Sequence, residues 1–152
     1  MCGRYWVEPD DAPEVLAALL KEADARADRL GAERPRRGEV RPGDTACVLS
    51  RSKAGSPAAF PMRWGFRSPS GLVFNARTET APQRPMFRES WQSRRCLIPA
   101  SAWFEWDHRP RRPVKCRFAP QQRAWFCLAG LYRLEEDGRP DRCCSSRTHD
   151  SR

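Results

Sequence analysis

The chain has 152 residues, and 28 Lys+Arg against 19 Asp+Glu give it a formal net charge of +9. At this length one domain is expected, burying roughly 68–70% of the surface its unfolded chain would expose. No apolar run approaches the ~20 residues needed to cross a bilayer, and no apolar h-region follows the start, so the sequence reads as a cytoplasmic protein with no membrane partner.

In chain order, the first feature is Cys2 directly after Met1. Removal of the initiator Met would leave Cys2 with a free thiol beside a free amine. An α-amine titrates near roughly 7.7–8.0 and a Cys thiol near about 8.5, so both keep a nucleophilic fraction at neutral pH. Such a 1,2-aminothiol can attack an acyl carbon, with the amine as internal base. It can also condense with an aldehyde and close to a thiazolidine. The plain alternative is an idle Cys at a frayed terminus.

A helix follows. Asp11-Ala12-Pro13-Glu14 resembles a capping box, with Asp11 as N-cap. Val15, Leu16, Leu19, Leu20, Ala23, Ala27 and Leu30 then recur at helical spacing up to Gly31, a natural stop. Residues 33–44 read as a connecting loop.

Beyond it the grammar is short strands separated by turn chemistry. Strands are expected over 45–50, 58–66, 72–74, 96–98, 103–106, 114–118 and 124–134, with a short helix over 85–93. The run Ala119-Pro-Gln-Gln-Arg123 reads as the turn of a hairpin joining the last two strands. One long helix among many strands predicts an α+β fold, mainly antiparallel and able to close into a barrel. The expected domain is 1–140, incomplete at its C-terminal end. Residues 141–152 lack large apolar side chains and are expected to be a polar, disordered tail, as in a truncated or frameshifted reading.

Polar residues inside apolar stretches are the remaining site candidates. Asn75 and Arg77 share a strand face by alternation, and Glu79 joins them only if the strand continues. Glu105 is bracketed by aromatics, where a carboxylate is either held protonated or paired with a cation. A strand cap, a surface Arg and a structural ion pair are the plain alternatives. Arg4-Tyr5-Trp6, Arg63-Trp64-Gly65-Phe66-Arg67, Arg77, Arg84 and the 108–115 run interleave cations with aromatics. Phosphate-binding Arg among stacking surfaces suits single-stranded nucleic acid, although Trp64 and Trp103 fit a core equally well. The seven cysteines include no C-x-x-C pair, so no disulfide framework, metal or other cofactor is expected. Cys47, Cys96, Cys116 and Cys127 read as small core residues.

Taken together, Met1-Cys2-Gly3-Arg4-Tyr5, Arg63-Trp64-Gly65-Phe66, Asn75-Ala76-Arg77-Thr78-Glu79-Thr80, Met86-Phe87, Arg95-Cys96-Leu97-Ile98-Pro99 and Trp103-Phe104-Glu105-Trp106 occur in that order. They resemble the SOS response-associated peptidase (SRAP) family, the abasic-site-processing proteins. The resemblance implies a mostly antiparallel fold with a basic groove for single-stranded DNA containing abasic sites. It implies peptidase-like removal of Met1 and capture of the ring-opened aldehyde as a thiazolidine on Cys2. By the same resemblance, Asn75 helps position the amine or the sugar, Glu105 moves protons and Arg77 holds a phosphate. Arg4, Trp64 and Arg84 would line the DNA-binding surface. A monomer acting in the cytoplasm, at the nucleoid or replication fork, is expected. The family domain runs on past the equivalent of Cys143-Cys144 to a catalytic His followed by Arg and Met-Pro. His149 lies too close to Cys144 to take that role. A cysteine peptidase or amidohydrolase using Cys2, and a non-catalytic single-stranded DNA-binding module, are the competing readings.

Overall fold

The computed structural model describes residues 3–136 and 141–147. Helix α1 spans Glu14–Leu30 and α2 spans Pro85–Ser93. The capping box at Asp11 is not made. Residues Pro9–Asp11 form a 3-10 turn instead, and α1 starts from Pro13, whose fixed φ (−53°) and extended ψ suit a helix entry. Gly31 ends α1 with φ 61°, a left-handed conformation that glycine adopts without a Cβ penalty. Leu20, Ala23 and Ala27 form the buried stripe of α1.

A four-stranded antiparallel sheet has the order β10 (Val114–Phe118), β9 (Ala102–Asp107), β1 (Tyr5–Val7), β2 (Gly38–Val40). Strand β2 lies inside the segment expected to be loop. It pairs with β1 through Tyr5↔Val40, Trp6↔Glu39 and Val7↔Gly38. Gly38 and Glu39 give it little strand propensity of its own, so tertiary pairing and the fully buried Val40 hold it in place.

The second sheet runs β11 (Phe126–Arg133), β8 (Arg95–Ala100), β3 (Thr45–Arg51), β4 (Pro57–Trp64), β12 (Arg142–Arg147), and it closes because β12 also pairs with β11. The result is a five-stranded barrel in an α+β fold. On its other side β12 runs parallel to β4 at its start and to β7 (Asn75–Arg77) at its end. Strands β5 (Phe66–Ser68) and β6 (Gly71–Val73) form a separate hairpin. The expected hairpin between β10 and β11 does not occur: β10 pairs with β9, and β11 pairs with β8 and β12.

Strand β12 also corrects the expected disordered tail over 141–147; residues 148–152, His149 among them, lie outside the described residues. Successive side chains in a strand face opposite sides of the sheet. Cys143 joins the main core with Tyr5, Val40, Val48, Trp64 and Ile98, whereas Cys144 joins a second cluster with Phe66, Ala76, Phe87 and Leu131. Both thiols are fully buried. Cysteine is a small apolar residue in such a place, which a tally of large hydrophobics overlooks. Cys47 and Cys96 are buried as expected, but Cys127 is exposed and Cys116 half-buried. Among the described residues, no helix is long and apolar enough to cross a membrane.

Candidate active site at the N-terminal strand

Cys2 lies outside the described residues, but the chain that carries it is fixed from the next position. Gly3 rests on the ring of Phe74: a Cβ built there would sit 3.5 Å from Phe74 Cε2. The carbonyl of Arg4 accepts the Phe104 N–H at 3.0 Å. Tyr5 then enters the sheet between Val40 and Trp103. Asn75 directly follows Phe74, and Glu105 directly follows Phe104. The N-terminal segment is therefore held by the residues that immediately precede Asn75 and Glu105.

An aromatic floor supports this corner. Trp64 is fully buried, with its ring edge-on to Tyr5 at 5.0 Å and to Phe74 at 5.7 Å. Its Nε1–H donates to the Phe74 carbonyl at 3.2 Å. The expectation of Trp64 on a DNA-binding surface is corrected here, because no face of the indole is open to a base. It shapes the site from beneath by fixing the backbone one residue before Asn75.

The same Phe74 carbonyl accepts the Ser145 N–H at 3.0 Å and lies 3.2 Å from Ser145 Oγ. Ser145 Oγ is also 2.5 Å from Asn75 Oδ1. Strand β12 thus orients the Asn75 amide, a contact that sequence reasoning missed because Ser145 stood in the expected tail. A side chain held by such a partner is pre-organised for work on a substrate.

Asn75 and Glu105 are half-buried and Arg77 is exposed, with buried Ala76 between Asn75 and Arg77 confirming the alternation. Cys116 stands opposite Glu105 on β10. Arg84 is exposed and forms the N-cap of α2. Arg4 is committed within the protein: its Nη1 donates to Glu39 Oε1 at 2.6 Å. Glu39 also accepts hydrogen bonds from Arg41 at 3.0 Å and from Lys115. These cations, Lys115 foremost, hold its carboxyl down at about 2. Glu39 fell in the segment read as loop, where nothing local marks it; only the pairing of β2 with β1 brings it beside Arg4. The thiols of Cys47 and Cys144 are pushed up to about 12 by burial, and those of Cys96 and Cys143 also rise. They are inert, and none competes as a nucleophile.

An apolar groove of about 570 Å³, lined among others by Leu49, Leu97 and Tyr132, includes none of Arg4, Asn75, Arg77, Arg84 and Glu105. The candidate chemistry is gathered instead at the start of β1.

The sequence matches the family described as SOS response associated peptidase (SRAP) over residues 1–151. The chain belongs to the SRAP family. Among curated SRAP-like relatives, Abasic site processing protein YobE of Bacillus subtilis is 34% identical over 79 residues, 47% of this chain and 36% of that protein. Abasic site processing protein YedK of Escherichia coli is 33% identical over 109 residues, 70% of this chain and 48% of that protein. The chain thus spans between about a third and a half of the relatives it matches. Among solved structures, a Bacteroides thetaiotaomicron protein matches with a TM-score of 0.73 at 19% identity, over 97% of this chain and 68% of that one. A Bordetella bronchiseptica protein gives 0.69 at 23% identity, over 99% and 75%. These two likenesses concern the SRAP fold alone.

Proposed function

We propose that the protein captures abasic sites in single-stranded DNA by forming a covalent thiazolidine through Cys2 after removal of Met1. Membership of the SRAP family and the names of its curated relatives support the substrate class. The observation that carries the reading is the seat of Gly3 on Phe74 with the Arg4 carbonyl on the Phe104 N–H. It supports an amine delivered between Asn75 and Glu105.

The chemistry balances without any cofactor. The neutral Cys2 amine adds to the C1′ aldehyde of the ring-opened sugar and gives a carbinolamine. Glu105 acts as the proton carrier that lets hydroxide leave as water, producing the imine. The Cys2 sulfur then adds to the imine carbon and its proton passes to nitrogen, closing a five-membered ring. One water is lost overall and nothing is oxidised or reduced. Asn75, oriented by Ser145, donates to the amine's acceptor side or to a sugar hydroxyl. Arg77 and Arg84 offer exposed guanidiniums to the flanking phosphates.

The test is adduct formation with a uracil-glycosylase-treated single-stranded oligonucleotide, resolved on a denaturing gel after heating. Wild-type protein gives a slow-migrating band and Cys2→Ala gives none. Glu105→Gln and Asn75→Ala each slow its appearance by about 10²-fold. Lesion-indifferent, salt-sensitive binding with no band from the wild type would instead make the protein a plain single-stranded DNA-binding module.

A further inference from the structure

Glu39 is the hub of a closed set of contacts that crosses the four-stranded sheet. Register and alternation put Arg4, Glu39, Arg41, Phe104 and Lys115 on one face of it. Glu39 Oε1 accepts from Arg4 Nη1 at 2.6 Å and Arg41 Nε at 3.0 Å, and Oε2 accepts from Lys115 Nζ. Lys115 Nζ also lies 4.2 Å from the centre of the Phe104 ring. The Phe104 N–H returns to the Arg4 carbonyl at 3.0 Å. The circuit runs from β2 to β10, to β9, to β1 and back to β2.

Two of its members adjoin the proposed chemistry. Arg4 is two residues from Cys2, and Phe104 immediately precedes Glu105. The side chains of Glu39, Lys115 and Arg4 are 18%, 28% and 34% exposed, whereas Arg41 is 58% exposed. The first three are enclosed enough for their pairing to fix geometry, because partial burial strengthens charge-assisted hydrogen bonds. Arg41 remains open to an outside anion.

We infer that Glu39 is a positioning residue. Through Arg4 and Lys115 it fixes the N-terminal segment against the Phe104–Glu105 strand, setting where the Cys2 amine meets the aldehyde. The inference rests on the reading of Cys2 as the capturing nucleophile. It differs from a role in DNA affinity, since removing this carboxylate takes a negative charge from beside three cations and raises the local positive potential.

That difference makes the experiment decisive. Glu39→Gln is compared with wild type for the apparent Kd of an abasic oligonucleotide and for the adduct rate at saturating protein. Hydrogen exchange of the Phe104 amide is followed in both, without DNA. The expected result is an unchanged or tighter Kd, a saturated rate lower by about tenfold or more, and faster Phe104 exchange. Lys115→Met, which keeps the Arg4–Glu39 pair, gives the same changes in weaker form and replaces Glu39→Gln should that variant not fold. A saturated rate and an exchange rate both equal to wild type would overturn the inference. So would a loss confined to affinity. Should the wild type form no adduct, the capture reading fails by itself, and the exchange measurement still decides whether Glu39 holds the strand.

Discussion

The roles of Glu39 and Trp64 emerge only from their surroundings. The ordinary Glu39 value of 4.5 falls to about 2 in the folded protein. The unfolded chain binds the proton first as pH drops, so the stabilisation from this carboxylate is complete above about 4.5 and lost as pH falls toward 2. Urea unfolding of wild type and Glu39→Gln should show a constant stability gap above about pH 5.5, shrinking steadily below it. A gap that stays level down to pH 2.5 would contradict the pairing with Lys115 and Arg4. Trp64 is a core residue, so Trp64→Ala should cost about 3–5 kcal/mol of stability by the same assay. Its retention of full stability would return the indole to the surface. Sequence alone left Trp64 open between core and DNA surface, because Arg-Trp-Gly-Phe reads equally as a stacking platform or a strand entering a core. Burial decides it, and burial is a property of the assembled barrel. Asn75, Arg77 and Glu105 were legible as polar residues in apolar stretches, whereas Ser145, the partner of Asn75, carried no local signal.

Strand β12 shows the same limit one level up. The helices were readable because apolar periodicity and Gly31 are local features, and α2 spans Pro85–Ser93 as its sequence predicts. Strand β12 was not, because Arg, Cys and Ser carry weak strand propensity and its position depends on β4, β7 and β11 together. It occupies the closing position of the barrel, and the Trp64–Gly65–Phe66 turn clasps it. The Gly65 N–H donates to the Cys143 carbonyl at 2.7 Å, and the Gly65 carbonyl accepts Arg142 Nη1 at 2.8 Å. Gly65 has φ +116°, and a Cβ there would meet Leu72 Cβ at 3.2 Å, so only glycine fits the turn. Placing a carboxylate within the fully buried end of β12, as in Cys144→Asp, should therefore abolish cooperative unfolding. In the unaltered protein, Cys143 and Cys144 should resist alkylation until denaturant exposes them. Native-state labelling of both thiols, read by peptide mass spectrometry, would show that β12 does not close the barrel.

At the scale of the whole molecule, the barrel and the four-stranded sheet are joined where β1 and β9 meet the Tyr5–Trp64–Phe74 cluster. The N-terminal strand thus begins beside the fully buried Tyr5 and Trp64. A nucleophile on a mobile segment is spread over many orientations, and here the described chain is held from Gly3 onward, by Phe74 and by the Phe104 N–H on the Arg4 carbonyl. The charge of +9 supplies long-range attraction to a polyanion, so binding should weaken steeply with salt. The proposed thiazolidine, once closed, should not. The α+β class and the antiparallel pattern were legible from strand spacing. A barrel was expected as well, but its closing strand was not, since Arg142 and Cys143 of β12 pair with Arg63 and Trp64, about eighty positions away. The most direct test of the account is the intact mass of the product formed with an abasic single-stranded oligonucleotide. The predicted species has the mass of the protein lacking Met1 plus the oligonucleotide minus one water, and Cys2→Ala does not form it. A product that retains Met1, or an unmodified protein mass after prolonged incubation, would contradict the central claim.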